Sequence, residues 1–227
     1  MNYNDVIRQG DQNGQPNLIA FGQDQKASVL GFTATRALIC SRQTVSPKRL
    51  LDPGPSEEQL DALLSLAAAA PDHGCLTPWR FIIVAVSQRH RLAEVFALAL
   101  IDRDPSASLA QIESAREKAH RAPLLLVAVA CLGAREPNTP ALERMVSMGA
   151  AIQNLLLGAH AMGFGAGLTS GRAMASPRLR ALCALAEGEV PVCCVNVGTT
   201  TQRKAQRIRP PASQFVTTLG DCLERPS

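Results

Sequence analysis

The stretch Ala70-Pro71-Asp72-His73-Gly74-Cys75-Leu76-Thr77-Pro78-Trp79-Arg80-Phe81 joins a helical pattern to a strand pattern through a loop fixed by two prolines and a glycine. Upstream, Ser56 and Gln59 make a capping box, and Leu60, Leu63, Leu64 and Ala67 recur at helical spacing. Pro71 disfavours the helical region for Ala70, so that helix is expected to end there. Downstream, Phe81, Ile82, Ile83 and Val84 predict a strand over Trp79 to Val86. A rigid loop between two such elements suits a site. His73 can donate to an anion or exchange a proton near neutral pH, with Asp72 placed to orient it; a purely structural histidine is the alternative. Cys75 is either a reactive thiol or a buried or half-buried one.

Working outward, helices are expected over Arg89 to Ile101 and Ser108 to Ala119, and a buried strand over Leu124 to Ala130. Leu142 to Met162 predicts a long helix, apolar nearly all round and therefore enclosed, with Gly149, Ala150 and Ala151 open to a close neighbour. Ser176-Pro177 caps a helix to Leu185, and Val190 to Val197 is a third strand. Towards the N-terminus a short helix is expected over Ala34 to Cys40. Before it, residues 1–33 are rich in Asn, Gln, Gly and Asp and read as a poorly ordered extension, or as an arm packed on a partner, leaving 34–227 as one domain. Helices and strands that do not alternate regularly favour an α+β fold.

Composition narrows the function classes. With 227 residues the chain can bury one sizeable core. Its net charge of +4 suits an anionic small ligand, while one Trp and one Tyr leave little for stacking nucleic-acid bases, so no nucleic-acid partner is expected. Seven cysteines without a CxxC pair support neither a disulfide framework nor a zinc site. No basic segment followed by an apolar run opens the sequence, and the apolar stretch Met145 to Gly167 carries Gln153, Asn154 and His160. The expectation is a cytoplasmic protein with no membrane partner and no metal.

Three further segments could carry chemistry. In Ser41-Arg42-Gln43-Thr44-Val45-Ser46, a guanidinium fork followed by hydroxyls suits a phosphate or another anion; a polar turn with an exposed Arg is the alternative. In Gly163-Phe164-Gly165-Ala166-Gly167-Leu168-Thr169-Ser170-Gly171, glycines permit backbone approach to a flat ligand, or the segment is a helix cap and turn. It follows a helix, so a dinucleotide-binding fingerprint is disfavoured. Arg203, Lys204, Arg207 and Arg209 form a basic tail, solvated or closing over a phosphate.

In order and spacing, SRQTVSPKRL, APDHGCLTPWRF, AMGFGAGLTSG and VNVGTTT resemble the nitroreductase family, and most closely its small subgroup with an APDHxxxxPWxF loop; the resemblance runs from about Ala34 to the end. It implies an α+β fold with a mostly antiparallel central sheet flanked by helices, in an intertwined homodimer. It implies FMN in a cleft between subunits, reduced by NAD(P)H and reoxidised by a nitroaromatic, quinone or similar small oxidant in ping-pong hydride transfer. The flavin carries the chemistry, so no catalytic residue is assigned. By position, Arg42, Gln43, Thr44, Ser46, Ala69, His73, Leu168, Thr169, Ser170 and Arg209 would contact FMN, and Gly158, Ala159, His160, Ala161, Met162 and Gly163 the nicotinamide nucleotide. The chain departs from the family at Gln43-Thr44, where Arg-Ser is common, at Leu168-Thr169-Ser170, where Trp-Arg-Ser or Trp-Lys-Thr is, at Ala69, often arginine, and at Cys75 and Thr77, often basic or polar. A pocket short of positive charge would bind FMN more weakly or shift its potential. A flavin store or sensor with little turnover, flavin-fragmenting or dehalogenating chemistry, and a non-flavin interaction module are the rival readings.

Overall fold

A computed structural model describes residues 23–133, 138–201 and 207–219. The chain divides into two compact units, 1–40 and 41–227. In the first, helix α1 runs over Gln23–Ser41. Residues 23–33, expected in the extension, are therefore helical, and the short helix begins eleven residues earlier than its apolar pattern suggested; residues 1–22 lie outside the described residues.

The second unit is built on four antiparallel strands, β1 (Trp79–Ile83), β2 (Leu124–Cys131), β3 (Gly165–Thr169) and β4 (Glu189–Gly198), in the order β1-β2-β4-β3. β2 and β4 are central and covered on both faces, which explains their unbroken apolar runs. One face packs on α2 (Glu57–Ala68) and α5 (Ala141–Ala161), where Leu63, Met148 and Leu155 meet Leu126 and Val195. The other packs on α3 (Arg89–Arg103), α4 (Leu109–Glu117) and α6 (Pro177–Leu182), where Leu92, Phe96 and Leu179 meet Val127 and Val129. The sequence thus located three of the four strands and the antiparallel α+β class. Pro191 sits in a central strand because the register shifts between Ala128 and Val129, a bulge that spares the ladder its missing N–H.

Local signals hold where chemistry enforces them. Ser56 and Gln59 form the expected capping box, and Ser108 with Gln111 forms a second. Helix α5 is less enclosed than its composition implied, since Leu142 and Val146 are exposed and the position of Gly149 is open. Two arginines do structural work that no motif announced. Arg89 is buried and donates to the carbonyls of Val84, Ala119, Ala122 and Pro123, tying the start of α3 to the approach to β2.

Arg80 on β1 forks onto Glu189 at the start of β4, with Nε and Nη2 each 2.7 Å from a carboxylate oxygen. This bond from Arg80, with a further one from the Ala186 amide, pulls the Glu189 carboxyl down from 4.5 to about 2 against the opposing effect of burial. The folded-state value lies below the unfolded one, so the pair's stabilisation is complete above about pH 4.5 and is lost as pH falls towards 2. Urea midpoints taken from pH 5 to pH 2.5 should fall more steeply for the native chain than for Glu189→Gln; parallel curves would show that the pair is not linked to folding.

Candidate functional site

The site is organised by a strap, Arg42–Ser46, that lies beside β3. The Val45 amide donates to the Ala166 carbonyl at 2.9 Å, and Thr44 forms a parallel bridge with Ala166. Two hydrogen bonds between Leu51 and Thr199, both 2.8 Å, fasten the chain beyond the strap to the end of β4. Glycines make room for this. A Cβ on Gly167 would collide with the Val45 carbonyl oxygen, and one on Gly165 would come within 2.9 Å of Leu50 Cδ2. The segment read as a cap and turn is therefore half a cap and half a strand. Gly163, at φ +89°, ends α5 as expected, but Gly165–Thr169 is β3. Gly167 admits the protein's own strap, and Gly165 the side chains of Leu50 and Thr200.

Two cavities meet at Ser46. The smaller, about 220 Å³, is lined by the whole strap with Arg49, His160 and Thr200, against an apolar wall of Leu156 and Phe164. Here the Nε of Arg42 is buried and has no hydrogen-bond partner, the one such side-chain nitrogen or oxygen among the described residues. A buried guanidinium N–H without an acceptor is costly, and an anion in the cavity would remove that cost. Ser41 Oγ and His160 Nε2 share a hydrogen bond of 2.8 Å at the same wall.

The larger cavity, about 560 Å³, lies on the α3 side of the sheet. Leu168, Thr169 and Ser170 line it with Ser46, over a floor that includes Phe96, Leu100 and Leu125. Asn196, buried in β4, donates to Thr169 Oγ1 at 3.1 Å and so fixes that hydroxyl. Lys48, Arg103, Lys118, Arg121 and Arg172 supply positive charge. Sequence reading found none of these five, because they come from separate elements and no single motif holds them. Arg103 closes α3, and the other four come from turns and short 3-10 segments outside the long helices.

The other expected residues are not gathered at either cavity. Ala69 is exposed at the end of α2. His73 is exposed, and its Nδ1 lies 3.1 Å from Glu143 Oε1. Asp72 does not orient His73 as expected; its carboxylate accepts from the Thr77 amide and braces the loop. Cys75 in that loop is exposed, not buried. Of the six residues expected at the nicotinamide, His160 lines the smaller cavity. Ala159 is fully buried, and Gly158 is pressed against Leu63 and Leu66, where a Cβ would overlap both side chains. Ala161 is exposed, Met162 is half-buried, and Gly163 caps α5. Arg207 and Arg209 are exposed in the tail; Arg203 and Lys204 lie outside the described residues.

Burial pushes the Cys193 thiol up to about 11 and Cys194 to about 12, so neither offers a thiolate near neutral pH. Among the described residues, no helix is long and apolar enough to cross a membrane.

The fold is α+β, with a small polar cavity along the strap and a larger, cation-rimmed one over an apolar floor. The sequence profile of the Nitroreductase family matches residues 41–199. A Haemophilus influenzae protein provisionally named an NAD(P)H nitroreductase is 31% identical over 164 residues, covering 72% of this chain and 88% of its own. The Escherichia coli protein YdjA, provisionally named in the same way, is 31% identical over 184 residues, covering 79% of this chain and 96% of its own. The chain belongs to the nitroreductase family. Among solved structures, a nitroreductase-like protein from Bacillus cereus superposes with a TM-score of 0.70 at 17% identity, over 89% of this chain and 98% of that one. A provisionally named nitroreductase from Desulfovibrio desulfuricans, solved in complex with FMN, superposes with a TM-score of 0.60 at 22% identity, over 80% of this chain and 94% of that one.

Proposed function

We propose that this chain is an FMN-dependent NAD(P)H oxidoreductase that reduces small oxidants, nitroaromatics or quinones among them, as a homodimer. The observation that carries the reading is the buried, unpartnered Nε of Arg42 beside a hydroxyl-lined cavity that shares Ser46 with a larger, apolar-floored one. Arg42 and Thr44 hold the phosphate end of the cofactor, which the smaller volume suits. Ser46, Leu168, Thr169 and Ser170 bound the ring end, where the volume lies in the usual range for cofactor sites. Bound FMN would supply the redox chemistry, taking a hydride from NAD(P)H and passing two electrons to the oxidant in a second half-reaction.

The protein's part is to bind, orient and exclude water. Leu100, Leu125 and Phe96 keep the ring cavity apolar, while its cations oppose the negative charge of a reduced ring. Ala69, His73 and Arg209 reach the cofactor only from a second copy or through tail movement. Leu142, Val146 and Gly149, open along one stripe of α5, offer that copy a face. The cations around the ring cavity weaken the case for a mere flavin store, which had rested on missing charge. Stopped-flow mixing of the FMN-loaded chain with NADPH or NADH should bleach the flavin within seconds. A flavin that stays oxidised with both would mark a store or sensor, and a chain that cannot take up FMN would mark an interaction module. Product analysis after aerobic turnover separates simple reduction from flavin fragmentation or dehalogenation.

A further inference from the structure

We infer that the larger cavity selects oxidants that themselves carry a negative charge, such as a nitroaromatic or quinone bearing a carboxylate or sulfonate, and that Arg103 and Arg172 recognise that group. The inference rests on the oxidoreductase reading above and names its substrate class.

Five cations line this cavity, and no Asp or Glu does. The whole chain has a net charge of only +4, so this is a local concentration and not a reflection of composition. Elsewhere three arginines are matched with acids, Arg80 with Glu189, Arg116 with Glu94 and Arg178 with Asp102. Of the five at the cavity, only Arg121 has an acidic partner among the described residues, Glu117 at 3.3 Å. Like charges around one concavity repel each other until an anion enters, and a cleft walled by one sign of charge concentrates ligands of the other. The phosphate of the cofactor is already provided for at Arg42, on the far side of the strap, and one reduced ring does not occupy five cations, which leaves Arg103 and Arg172 for another anion.

Arg103 closes α3, and Arg172 stands two residues beyond Ser170; both are exposed. A guanidinium fork matches a carboxylate or sulfonate in plane, and the attached ring would lie over the flavin seated on Phe96, Leu100 and Leu125. The chemistry leaves the anionic group untouched. For a nitro compound, Ar–NO2 + NAD(P)H + H+ gives Ar–NO + NAD(P)+ + H2O. One N–O bond breaks, the oxygen leaves as water, the nitrogen group gains two electrons, and the nicotinamide loses a hydride.

The test compares 4-nitrobenzoate with its uncharged near-isostere 4-nitrobenzamide on the FMN-loaded full chain. At low salt, kcat/KM should favour the benzoate by more than tenfold, and the ratio should shrink as salt is raised. In the Arg103→Gln/Arg172→Gln double variant the ratio should fall towards one. Calorimetric titration with benzoate and benzamide, which are not oxidants, should show the same preference in binding and its loss in the variant. Equal kcat/KM for the two oxidants in the native chain, or a ratio that survives both substitutions, overturns the anion preference alone. A chain that cannot be loaded with FMN overturns the oxidoreductase reading and this inference with it.

Discussion

Replacing Arg42 with alanine should weaken FMN binding by about 1.5–3 kcal/mol, the worth of a hydrogen bond to a charged group, which is roughly 10- to 150-fold in Kd. The magnitude follows from where the guanidinium sits. Its Nε is buried without a partner, so in the ligand-free protein Arg42 gives up hydration and gains nothing for that N–H. An incoming phosphate collects the interaction with little of the desolvation left to offset it. Removing the side chain should also relieve the unfilled donor, so Arg42→Ala should not be destabilised without cofactor even as it loses the cofactor. Fluorescence titration of apoprotein with FMN measures the first effect and urea unfolding the second. Unchanged flavin affinity would take Arg42 out of the site. A lysine at this position should recover only part of the loss, because an ammonium cannot present a planar fork.

The second large effect is expected at Gly167, which touches no cavity. Any Cβ there meets the Val45 carbonyl oxygen, and that atom is backbone, so it cannot swing aside as a side chain would. Gly167→Ala should cost about 2–3 kcal/mol of stability, within the range for overpacking a filled site. The strap should give way first, because the Val45 amide's hydrogen bond to Ala166 and the short bridge at Thr44 tie its middle to β3. FMN affinity should therefore fall along with stability, although the substituted residue is not expected to contact the cofactor. Gly165→Ala should be milder, since its nearest obstructions are side-chain atoms of Leu50 and Thr200 that can shift. Equal stability of Gly167→Ala and the native chain would mean that the strap does not need its close fit.

These two residues also show what was legible in the sequence. Arg42 stood out because a guanidinium followed by hydroxyls has a local chemical meaning, and the strap does line a cavity. Gly167 was misread because a glycine's reason is its neighbour, and that neighbour, Val45, is far away in the chain. The same limit hid β3. Gly165, Ala166 and Gly167 carry almost no side chain, so the segment has neither alternation nor an apolar run, and only pairing with β4 makes it a strand. By contrast β1, β2, β4 and the capping box of α2 could be read directly, because continuous apolar runs and short-range polar pairs are properties of the segment itself. The helical residues 23–33 were lost by averaging their composition with the Asn- and Gln-rich residues before them. The five cations around the larger cavity could not be seen, since Lys48, Arg103, Lys118, Arg121 and Arg172 look like ordinary solvated charges until the fold brings their elements together. Family position named Gly158 and Ala159 as ligand contacts where packing against α2 and the core claims them.

The central claim is that one ligand spans both cavities along the strap, its anionic end at Arg42 and its flat end beside Leu168–Ser170. A crystal structure of the full chain with FMN tests it most directly. The phosphate should lie within hydrogen-bond distance of the Arg42 guanidinium and the ring in the cavity between Ser46 and Arg172. A phosphate bound elsewhere with Arg42 Nε still unpartnered, or a ring bound away from Ser46, would contradict it.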